Sequence, residues 1–552
     1  MEEDHKKVAR FASCRGVAFE INPNKANPFA IPTPPADADR DGRWDWFPWL
    51  NSSRRSNLQV FPLPPKIHHQ KSDSLASSHF CDVEEEEEKA DDLEKQQQED
   101  EQLHVKKGLE AEGAAKAKQQ KRESRLQVIL LDQGLFTVYK RLFALCFLLN
   151  ASGLVLAATG RFPYARTKAA LFSIANIFVL TLCRSEAFLR LLFWLAVYLL
   201  GRTWVPLRLK TMATSLLQSL GGIHSGCGVS SIAWLVYALV LTLENRANTC
   251  NEIVMFASAI LSSLCLSSLA AFPLVRHLHH NLFERTHRIA GWAALGLLWC
   301  FILLNLSYNP ISKSYDQVHS SGLLKAPEFW LTSAITLLII LPWLTVRRVR
   351  VTVTAPSGHA SLIKFEGGVK AGLLGRISPS PLSEWHAFGI ISAGRQEHMM
   401  LAGAVGDFTK SLVSHPPNHL WVRTLHFAGL PYLVNMYRRV VLVATGSGIC
   451  VFLSFLLQPS AADVCLVWVA KGIEQNFGRE IKEMVSGFPE EKVIVHDTAV
   501  MGRPNVAEMS VDAAKRWGAE VAIVTSNPQG SRDVVNACKA AGIPAFGPIW
   551  DS

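Results

Sequence analysis

Several features that usually classify a protein are missing from this sequence of 552 residues. Its 11 cysteines form no Cys-x-x-Cys pair, which argues against a zinc site or a disulfide framework and favours reduced, buried thiols. The first residues, MEEDHKKVARF, are acidic and contain no apolar run, so we predict neither a signal peptide nor a transit peptide. Neither an internal repeat nor a pair of Gly/Pro-broken apolar segments is evident, which disfavours a transporter.

The charge balance disfavours one further class of protein. The net charge of +9 is modest for this length, and the basic residues lie mainly beside apolar runs. We therefore interpret them as signals of membrane topology and predict no nucleic-acid partner.

Residues 1–125 are polar, contain prolines and end in a low-complexity region. Such a segment buries too little apolar surface to offset the entropy lost on ordering, so we predict a disordered cytosolic tail. Its acidic run, Glu84–Glu88, would suit a protein partner, but a solvated tail is the simpler interpretation.

Apolar residues are concentrated in the middle of the chain. Hydrophobic residues make up 49 % of the sequence, and the mean hydropathy is +0.15 despite the charged tail. Residues 135–348 contain six apolar segments long enough to cross a bilayer, which takes about 20 residues, so we predict a six-helix membrane domain. The predicted spans are 138–158, 168–200, 214–243, 252–275, 287–308 and 328–346.

Basic residues set the predicted orientation of these spans. They cluster at alternate ends, as at Arg202–Lys210 and Arg276–Arg288, whereas the Glu244–Glu252 loop is nearly neutral. By the positive-inside rule we predict an integral, multi-pass membrane protein whose amino terminus and carboxyl-terminal part face the cytosol. The first outer loop, 159–168, carries three basic residues and does not follow the rule.

Two soluble domains are predicted after the spans. Residues 349–432 contain short apolar segments separated by glycine turns, which favours a small antiparallel β-barrel. From 438 to 552, apolar segments of five or six residues alternate with helical patterns, as is typical of a parallel α/β sheet. The first strand of that sheet leads into Gly446-Ser447-Gly448, a turn that would let the backbone approach a pyrophosphate.

Two short stretches carry a resemblance to a known family. Glu384–Leu412 reads EWHAFGIISAGRQEHMMLAGAVGDFTKSL, and Met501–Asn505 reads MGRPN. They resemble the E-W-H-P-F-T, G-D-x-T-x-x-L and G-R-P-N motifs of ferric reductases and NADPH oxidases. The resemblance covers residues 135–552 and implies a multi-pass helical domain followed by a ferredoxin-NADP-reductase-like module. In that module a β-barrel binds FAD and an α/β domain binds NADPH or NADH.

By pattern the chain is similar to a divergent fungal and plant subgroup of these membrane proteins. Some members of that subgroup are associated or fused with adenylate-forming domains. Because we find no adenylation motif in this sequence, we do not predict that activity.

The resemblance also implies cofactor-binding residues. The implied FAD contacts are His386, Phe388 against the flavin ring, Gly406 and Thr409 at the pyrophosphate, and Phe546 or Trp550 as a stacking aromatic. The implied nucleotide contacts are Gly446, Gly448, Arg503 and Pro504 at the phosphates and Ser526 beside the nicotinamide. The preference for NADPH over NADH rests on the resemblance alone.

Four positions depart from the family pattern. Proline is replaced by Ala387 and Val451, threonine by Gly389, and the nicotinamide-side cysteine by Ser526. The missing threonine hydroxyl would lie near the reactive nitrogen of the flavin. We therefore expect this departure to affect hydride transfer more than FAD binding.

Histidines in the apolar region suggest a haem. In the ferric-reductase family the third and fifth spans each carry two histidines about thirteen residues apart, and these bind two stacked haems. Here His224 and His287 match the inner pair, whereas the outer positions hold Tyr237/Ala238 and Cys300/Phe301. We predict one inner-leaflet haem b held by His224 and His287. The alternative is that His277, His279, His280 and His287 are interfacial residues and that no haem binds.

The missing outer histidines bear on the electron acceptor. Thirteen helical residues span roughly 20 Å, so losing the outer haem removes the stepping stone across half of the bilayer. We therefore predict an NAD(P)H-dependent membrane flavoprotein oxidoreductase with an unknown acceptor, and disfavour electron delivery to the outer face. The alternative is a catalytically degenerate reductase-like membrane protein that serves as a signalling or scaffold module.

Overall fold

The computed structural model describes residues 10–12, 18–20, 137–272, 275–276, 279–316 and 320–548. The chain divides into two compact units, Met1–Lys71 and Ser72–Ser552. In the first unit, strand β1 (Arg10–Ala12) pairs antiparallel with β2 (Ala18–Glu20). The rest of the predicted disordered tail, 1–125, lies outside the described residues.

Residues 138–344 of the second unit are mainly helical and contain a helical bundle. The helices are α1 (Val138–Ala158), α2 (Pro163–Thr167), α3 (Ala169–Leu182), α4 (Glu186–Leu200), α5 (Leu207–Gln218), α6 (Gly221–Glu244), α7 (Asn251–Ala270), α8 (His280–Ser307), α9 (Ser320–Lys325) and α10 (Pro327–Leu344). Between α8 and α9, β3 (Tyr308–Asn309) pairs with β4 (Ser314–Tyr315). In the described part of the chain, five helices are long and apolar enough to cross a membrane. These are α1, α6, α7, α10 and residues Leu282–Ser307 of α8.

Helix α3 runs through the same bundle in the opposite direction to α1 and α6. Helices α1 and α6 are parallel, because Gly222 lies against Tyr139 at one end and Gly153 against Trp234 at the other. Ser173 Oγ donates to the Ser231 carbonyl, while Leu180 O lies 2.9 Å from a ring nitrogen near the start of α6, so α3 is antiparallel to α6. At 14 residues, α3 is about 21 Å long, short for a full crossing.

The predicted span 168–200 is not one helix, and this prediction is corrected. The helix ends at Leu182, and α4 begins after Ser185, whose Oγ accepts from the Phe188 N–H at 3.5 Å. The third predicted span is also too long, because residues 214–218 belong to the separate helix α5.

Helices α4 and α5 leave the bundle and pack on the soluble module. Phe193 of α4 and Leu217 of α5 are buried in the large apolar cluster that contains Leu433 and Val434. Burying one such side chain contributes about 1.5–3 kcal/mol. Thr214 and Tyr437 share a hydroxyl hydrogen bond of 2.7 Å beneath them, and burial raises the pKa of Tyr437 to about 12.

The soluble module begins with an antiparallel barrel of two sheets. The strands are β5 (Val346–Arg350), β6 (Thr352–Thr354), β7 (Ala360–Glu366), β8 (Leu373–Ser378), β9 (His386–Gly389), β10 (Glu397–Gly403), β11 (His419–Arg423) and β12 (Phe427–Ala428). One sheet has the order β10-β7-β6; the other has the order β12-β8-β11-β5, with β9 paired to β8. Alternation along β10 places Met400 in the barrel interior and Met399 and Leu401 in the apolar layer outside it. Helix α11 (Asp407–Ser414) follows β10.

A five-stranded parallel sheet completes the module. Its strands are β13 (Arg439–Thr445), β14 (Asp463–Ala470), β15 (Val493–Asp497), β16 (Val521–Thr525) and β17 (Ala545–Phe546). The connecting helices are α12 (Leu453–Leu457), α13 (Ile473–Ser486), α14 (Thr498–Met501), α15 (Val506–Trp517) and α16 (Pro528–Ala540). The order β15-β14-β13-β16-β17 puts the first strand at the centre. Such a sheet binds ligands at the carboxyl ends of its strands where the order reverses, here between β13 and β16.

Replacing Gly222 by alanine should destabilise the bundle. An added Cβ would fall on the carbonyl oxygen of Tyr139, so α1 and α6 would have to separate. We expect a loss of about 1–3 kcal/mol, seen as a lower melting temperature in detergent. Gly228→Ala, on the same helix, is the control: the described residues leave at least 4 Å around its Cβ, so stability should hold or rise. Equal melting of the two variants would contradict this packing.

Candidate functional site

Four of the predicted FAD residues, His386, Phe388, Gly406 and Thr409, lie on β9 and at the start of α11. The His386 ring stacks on Phe408, with ring centroids 4.5 Å apart and planes 12° from parallel. Gly406 is the N-cap residue of α11, and its N–H donates to Thr409 Oγ1 at 3.0 Å. An aromatic pair therefore lies beside a helix amino terminus, a position that favours anions.

Phe388 packs inside the barrel, and Thr409 caps the start of α11. Phe388 is 2 % exposed and belongs to the cluster inside the barrel with Ile363, Ile377 and Met400. Thr409 is 1 % exposed, and its hydroxyl bridges the Gly406 N–H and carbonyl. Their assignment as FAD contacts remains a prediction.

The glycine turn after β13 is enclosed. All six residues of Gly446–Val451 are buried, and the Trp468 indole donates to the Gly446 carbonyl at 3.0 Å. Gly446 needs its glycine because φ is +51°. An added Cβ at Gly448 would lie 2.8 Å from the Thr525 carbonyl oxygen, so the turn packs directly on the end of β16.

Ser526 lies beside the strand that leads into the glycine turn, whereas Phe546 lies on a different strand. The Ser526 hydroxyl lies 2.8 Å from Thr445 Oγ1, across the point where the strand order reverses. Phe546 is buried on the edge strand β17 within the apolar layer between barrel and sheet. The other predicted stacking residue, Trp550, lies outside the described residues.

Arg503 and Pro504 lie two strands away from the glycine turn. They follow α14, which continues β15, and they precede Asn505, the N-cap residue of α15. The Arg503 side chain is exposed at the carboxyl edge of the sheet. In the strand order, β14 lies between β15, which precedes Arg503, and β13, which leads to Gly446.

The barrel and the sheet meet through Gly389. A Cβ there would lie 2.7 Å from the Val451 backbone nitrogen and 2.6 Å from Val451 Cγ1. The structure thus has no room for a side chain at position 389, where ferric reductases have a threonine.

Hydrogen bonds also join the barrel to the segment after the glycine turn. Ser454 Oγ accepts from the Ser392 N–H at 2.9 Å and donates to the Ile390 carbonyl at 2.7 Å. Gln458 Nε2 donates to the Ser392 carbonyl at 2.7 Å.

The two predicted haem ligands lie near the starts of α6 and α8, and these two helices begin on the same side of the bundle. His224 Nδ1 lies 2.9 Å from the Leu180 carbonyl oxygen, and His287 Nδ1 lies 2.8 Å from Ser267 Oγ and 3.1 Å from the Ser267 carbonyl oxygen. In the tautomer whose Nδ1–H donates to the carbonyl, Nε2 is left as the metal ligand, and in that tautomer the donor chemistry fits a haem. Of the other predicted interfacial histidines, His279 is exposed, while His277 and the side chain of His280 lie outside the described residues.

The helix that carries His287 is bonded to the segment that leads into β9. Arg285 forms an ion pair of 2.7 Å with Glu384, and Arg288 donates to the carbonyls of Leu382 and Ser383. No sequence motif indicated this contact, because its two sides are about a hundred residues apart. It brings the predicted haem ligand and the predicted flavin strand to one junction.

A second junction contains residues that the motifs did not indicate. Glu186 at the start of α4 accepts hydrogen bonds from Arg376 and Arg423, the latter at 2.9 Å. A cavity of about 410 Å³ lies beside them, lined also by His398, Met400 and His426. Burial, then His398 and Arg190, lower the pKa of His426 to about 4, and burial also lowers the pKa of His398, so both rings are neutral near pH 7.

About three quarters of the chain is similar in sequence to two adenylate-forming reductases of Coprinopsis cinerea. Residues 430–552 match the sequence model of the family described as adenylate-forming reductase 03009, C-terminal domain. Adenylate-forming reductase 06235 of Coprinopsis cinerea is 33 % identical over 430 residues, covering 76 % of this chain and 41 % of that protein. Adenylate-forming reductase 03009 of the same organism is 34 % identical over 428 residues, with the same coverage. The chain thus spans about two fifths of the length of the curated relatives it matches.

Solved structures show a looser likeness. The cytochrome b5 reductase domain of Ulva prolifera nitrate reductase is 12 % identical with a TM-score of 0.28, covering 37 % of this chain and 97 % of that one. Ferredoxin-NADP+ reductase from Plasmodium falciparum with 2'P-AMP is 9 % identical, also with a TM-score of 0.28. It covers 37 % of this chain and 94 % of that one. The resemblance to ferric reductases remains an expectation.

Gly389→Ala should loosen the contact between barrel and sheet. Because the added methyl meets the Val451 backbone as well as its side chain, we expect a loss of about 1–3 kcal/mol. The measurement is thermal unfolding, together with the rate of limited proteolysis of the soluble module. Gly394→Ala is the control, since the described atoms leave its Cβ at least 4 Å of space. If Gly389→Ala were as stable as Gly394→Ala, the close contact at Val451 would be wrong.

Proposed function

We propose that this protein is a membrane-bound oxidoreductase that takes electrons from NADPH through FAD to a single haem or another acceptor. The observation that carries the proposal is the junction at α8. There, Arg285 and Arg288 bond the helix turn that contains His287 to the residues just before β9. Electron transfer needs the two redox groups close together, and this junction supports such an arrangement.

The fit to FAD is partial. His386, Phe408 and the start of α11 supply an aromatic face beside a helix amino terminus, which suits an aromatic group linked to a pyrophosphate. The buried side chains of Phe388 and Thr409 would contribute indirectly, by holding β9 and the first turn of α11 in place.

For the nucleotide, the exposed Arg503 at the carboxyl edge of the sheet would bind a phosphate. The buried Gly446 and Gly448 would act through shape, keeping β13 close to β16 and to the barrel. Ser526 and Thr445 would offer hydroxyls where the strand order reverses. The names of the two Coprinopsis cinerea relatives call those proteins reductases, which agrees with this role.

Hydride acceptance and single-electron transfer would be the chemistry of the bound groups, because amino-acid side chains do not carry out these steps. The chain's own contribution would be to bind and orient them. His224 and His287 would hold a haem iron through Nε2, while Leu180 and Ser267 orient the two rings through contacts at Nδ1.

We further propose six crossings, with α3 as the short second one and the soluble module in the cytosol. Support comes from the antiparallel course of α3 between two parallel helices and from the basic residues at the module end of the bundle. Arg285 and Arg288 are two of these, and they contact the barrel directly.

One observation favours a second candidate, a reductase-like scaffold without catalysis. The glycine turn, Phe388 and Thr409 are all buried by the protein's own side chains. A module that lost its cofactors would be expected to fill their places in this way, and the tail would then serve as the contact surface.

Arg503→Ala should weaken NADPH binding in the purified protein. Loss of a charged hydrogen bond costs about 1.5–3 kcal/mol, so we expect KM for NADPH to rise about tenfold or more with kcat little changed. Arg516→Ala is the matched control, because it removes the same charge from an exposed residue at the opposite end of α15. Protein without flavin absorbance, and without NADPH or NADH oxidation after FAD is added, would favour the scaffold.

A haem should give the detergent-purified protein a Soret band that depends on both histidines. We expect His224→Ala and His287→Ala each to abolish the band or shift it to that of a five-coordinate iron. His279→Ala should leave the spectrum unchanged, since that residue is exposed just before α8. An unchanged band in both ligand variants would refute the assignment, and colourless wild-type protein would refute the haem.

A further inference from the structure

Two bundle helices bring a pair of thiols into contact. Cys146 of α1 and Cys227 of α6 are free, and their Sγ atoms lie 3.2 Å apart. Cys227 is buried and Cys146 is half-buried. A disulfide bond is about 2.05 Å long, so the two sulfurs need to move only about 1 Å closer.

Glycines make this contact possible. Gly222 and Gly226, four residues apart on α6, both face α1. A Cβ at Gly226 would lie 3.0 Å from both the Cys146 Cβ and the Phe143 carbonyl oxygen, so a larger residue would push the helices apart. Small residues at this spacing are a common means of close helix packing in membranes.

A polar network fixes the rotation of α1. Asn150, one turn beyond Cys146, accepts from Asn176 at 2.8 Å and from the Trp234 indole at 3.0 Å through Oδ1. Its Nδ2 donates to the Cys146 carbonyl at 2.9 Å. Because buried polar groups in a bundle are costly to separate, this network holds Cys146 toward Cys227.

We propose that Cys146 and Cys227 form a reversible disulfide that joins α1 to α6, about one helical turn from His224. On oxidation two S–H bonds break and one S–S bond forms, while two protons and two electrons pass to dioxygen, which becomes hydrogen peroxide. Dioxygen is apolar, and α1 exposes Leu145, Leu148 and Leu149, so the oxidant can approach from lipid. A dithiol reverses the step by giving up two electrons and two protons as it becomes a disulfide itself.

This pair does not depend on the proposed function, since it requires neither FAD nor haem. It is a modification site within the bundle. A disulfide there would prevent α1 and α6 from separating at the level of His224.

The test uses the full-length protein in membranes, with a protease recognition sequence inserted after Gly160. That residue is exposed in the turn between α1 and α2. The membranes are treated with copper-phenanthroline in air, remaining thiols are blocked with N-ethylmaleimide, and the chain is cut. Without reductant most of the oxidised protein should migrate at full length; with dithiothreitol it should separate into two fragments.

Cys146→Ser and Cys227→Ser should each give two fragments without reductant. Cys183→Ser is the matched control, a buried thiol on the end of α3 whose loss should leave the link intact. Mass spectrometry of oxidised wild-type protein gives a result independent of the variants, a peptide that joins Cys146 to Cys227. Separation of oxidised wild-type fragments without reductant, or a link that survives either serine variant or requires Cys183, would overturn the proposal.

Discussion

The buried carboxylate of Glu186 joins the two halves of this molecule. It lies at the start of α4, where the chain leaves the bundle, and it binds Arg376 of β8 and Arg423 of β11. Removing one partner of a buried ion pair typically costs about 3–5 kcal/mol, because the other charge stays buried. The arginines are also held by rings, Arg376 over Phe427 and Arg423 over Trp385. One acidic residue in an apolar segment thus makes two ion pairs from the helical region to the barrel, in addition to the contacts of Arg285 and Arg288.

The break in the chain lies just before the same residue. Helix α3 ends at Leu182, and Ser185 precedes α4, whose first residue, Glu186, reaches those arginines. A buried carboxylate is costly when it is unpaired, and the partners of this one lie on the barrel. Helices α4 and α5 can then bury Phe193 and Leu217 against the soluble module.

Glycine plays two different parts in the candidate site. At Gly446 it allows a left-handed backbone conformation, which the local sequence of a strand-to-helix turn makes predictable. At Gly389 it allows another part of the chain to approach, and nothing in the neighbouring residues announces this. Gly389 stands where the ferric-reductase motif has a threonine, and in the structure it packs against Val451. Substituted motif positions thus gain a physical explanation only when their contacts are known.

Sequence alone determined the long apolar helices, the barrel, the parallel sheet and the glycine turn, because hydrophobic periodicity and turn residues act over a few neighbouring positions. It also identified His224 and His287 as unusual residues in an apolar region. Only the tertiary structure decided that the second apolar segment divides at Ser185, that Phe388 lies inside the barrel, and that Arg285 pairs with Glu384. These features depend on partners far away in the chain, and local patterns contain no information on which distant residues a fold brings together.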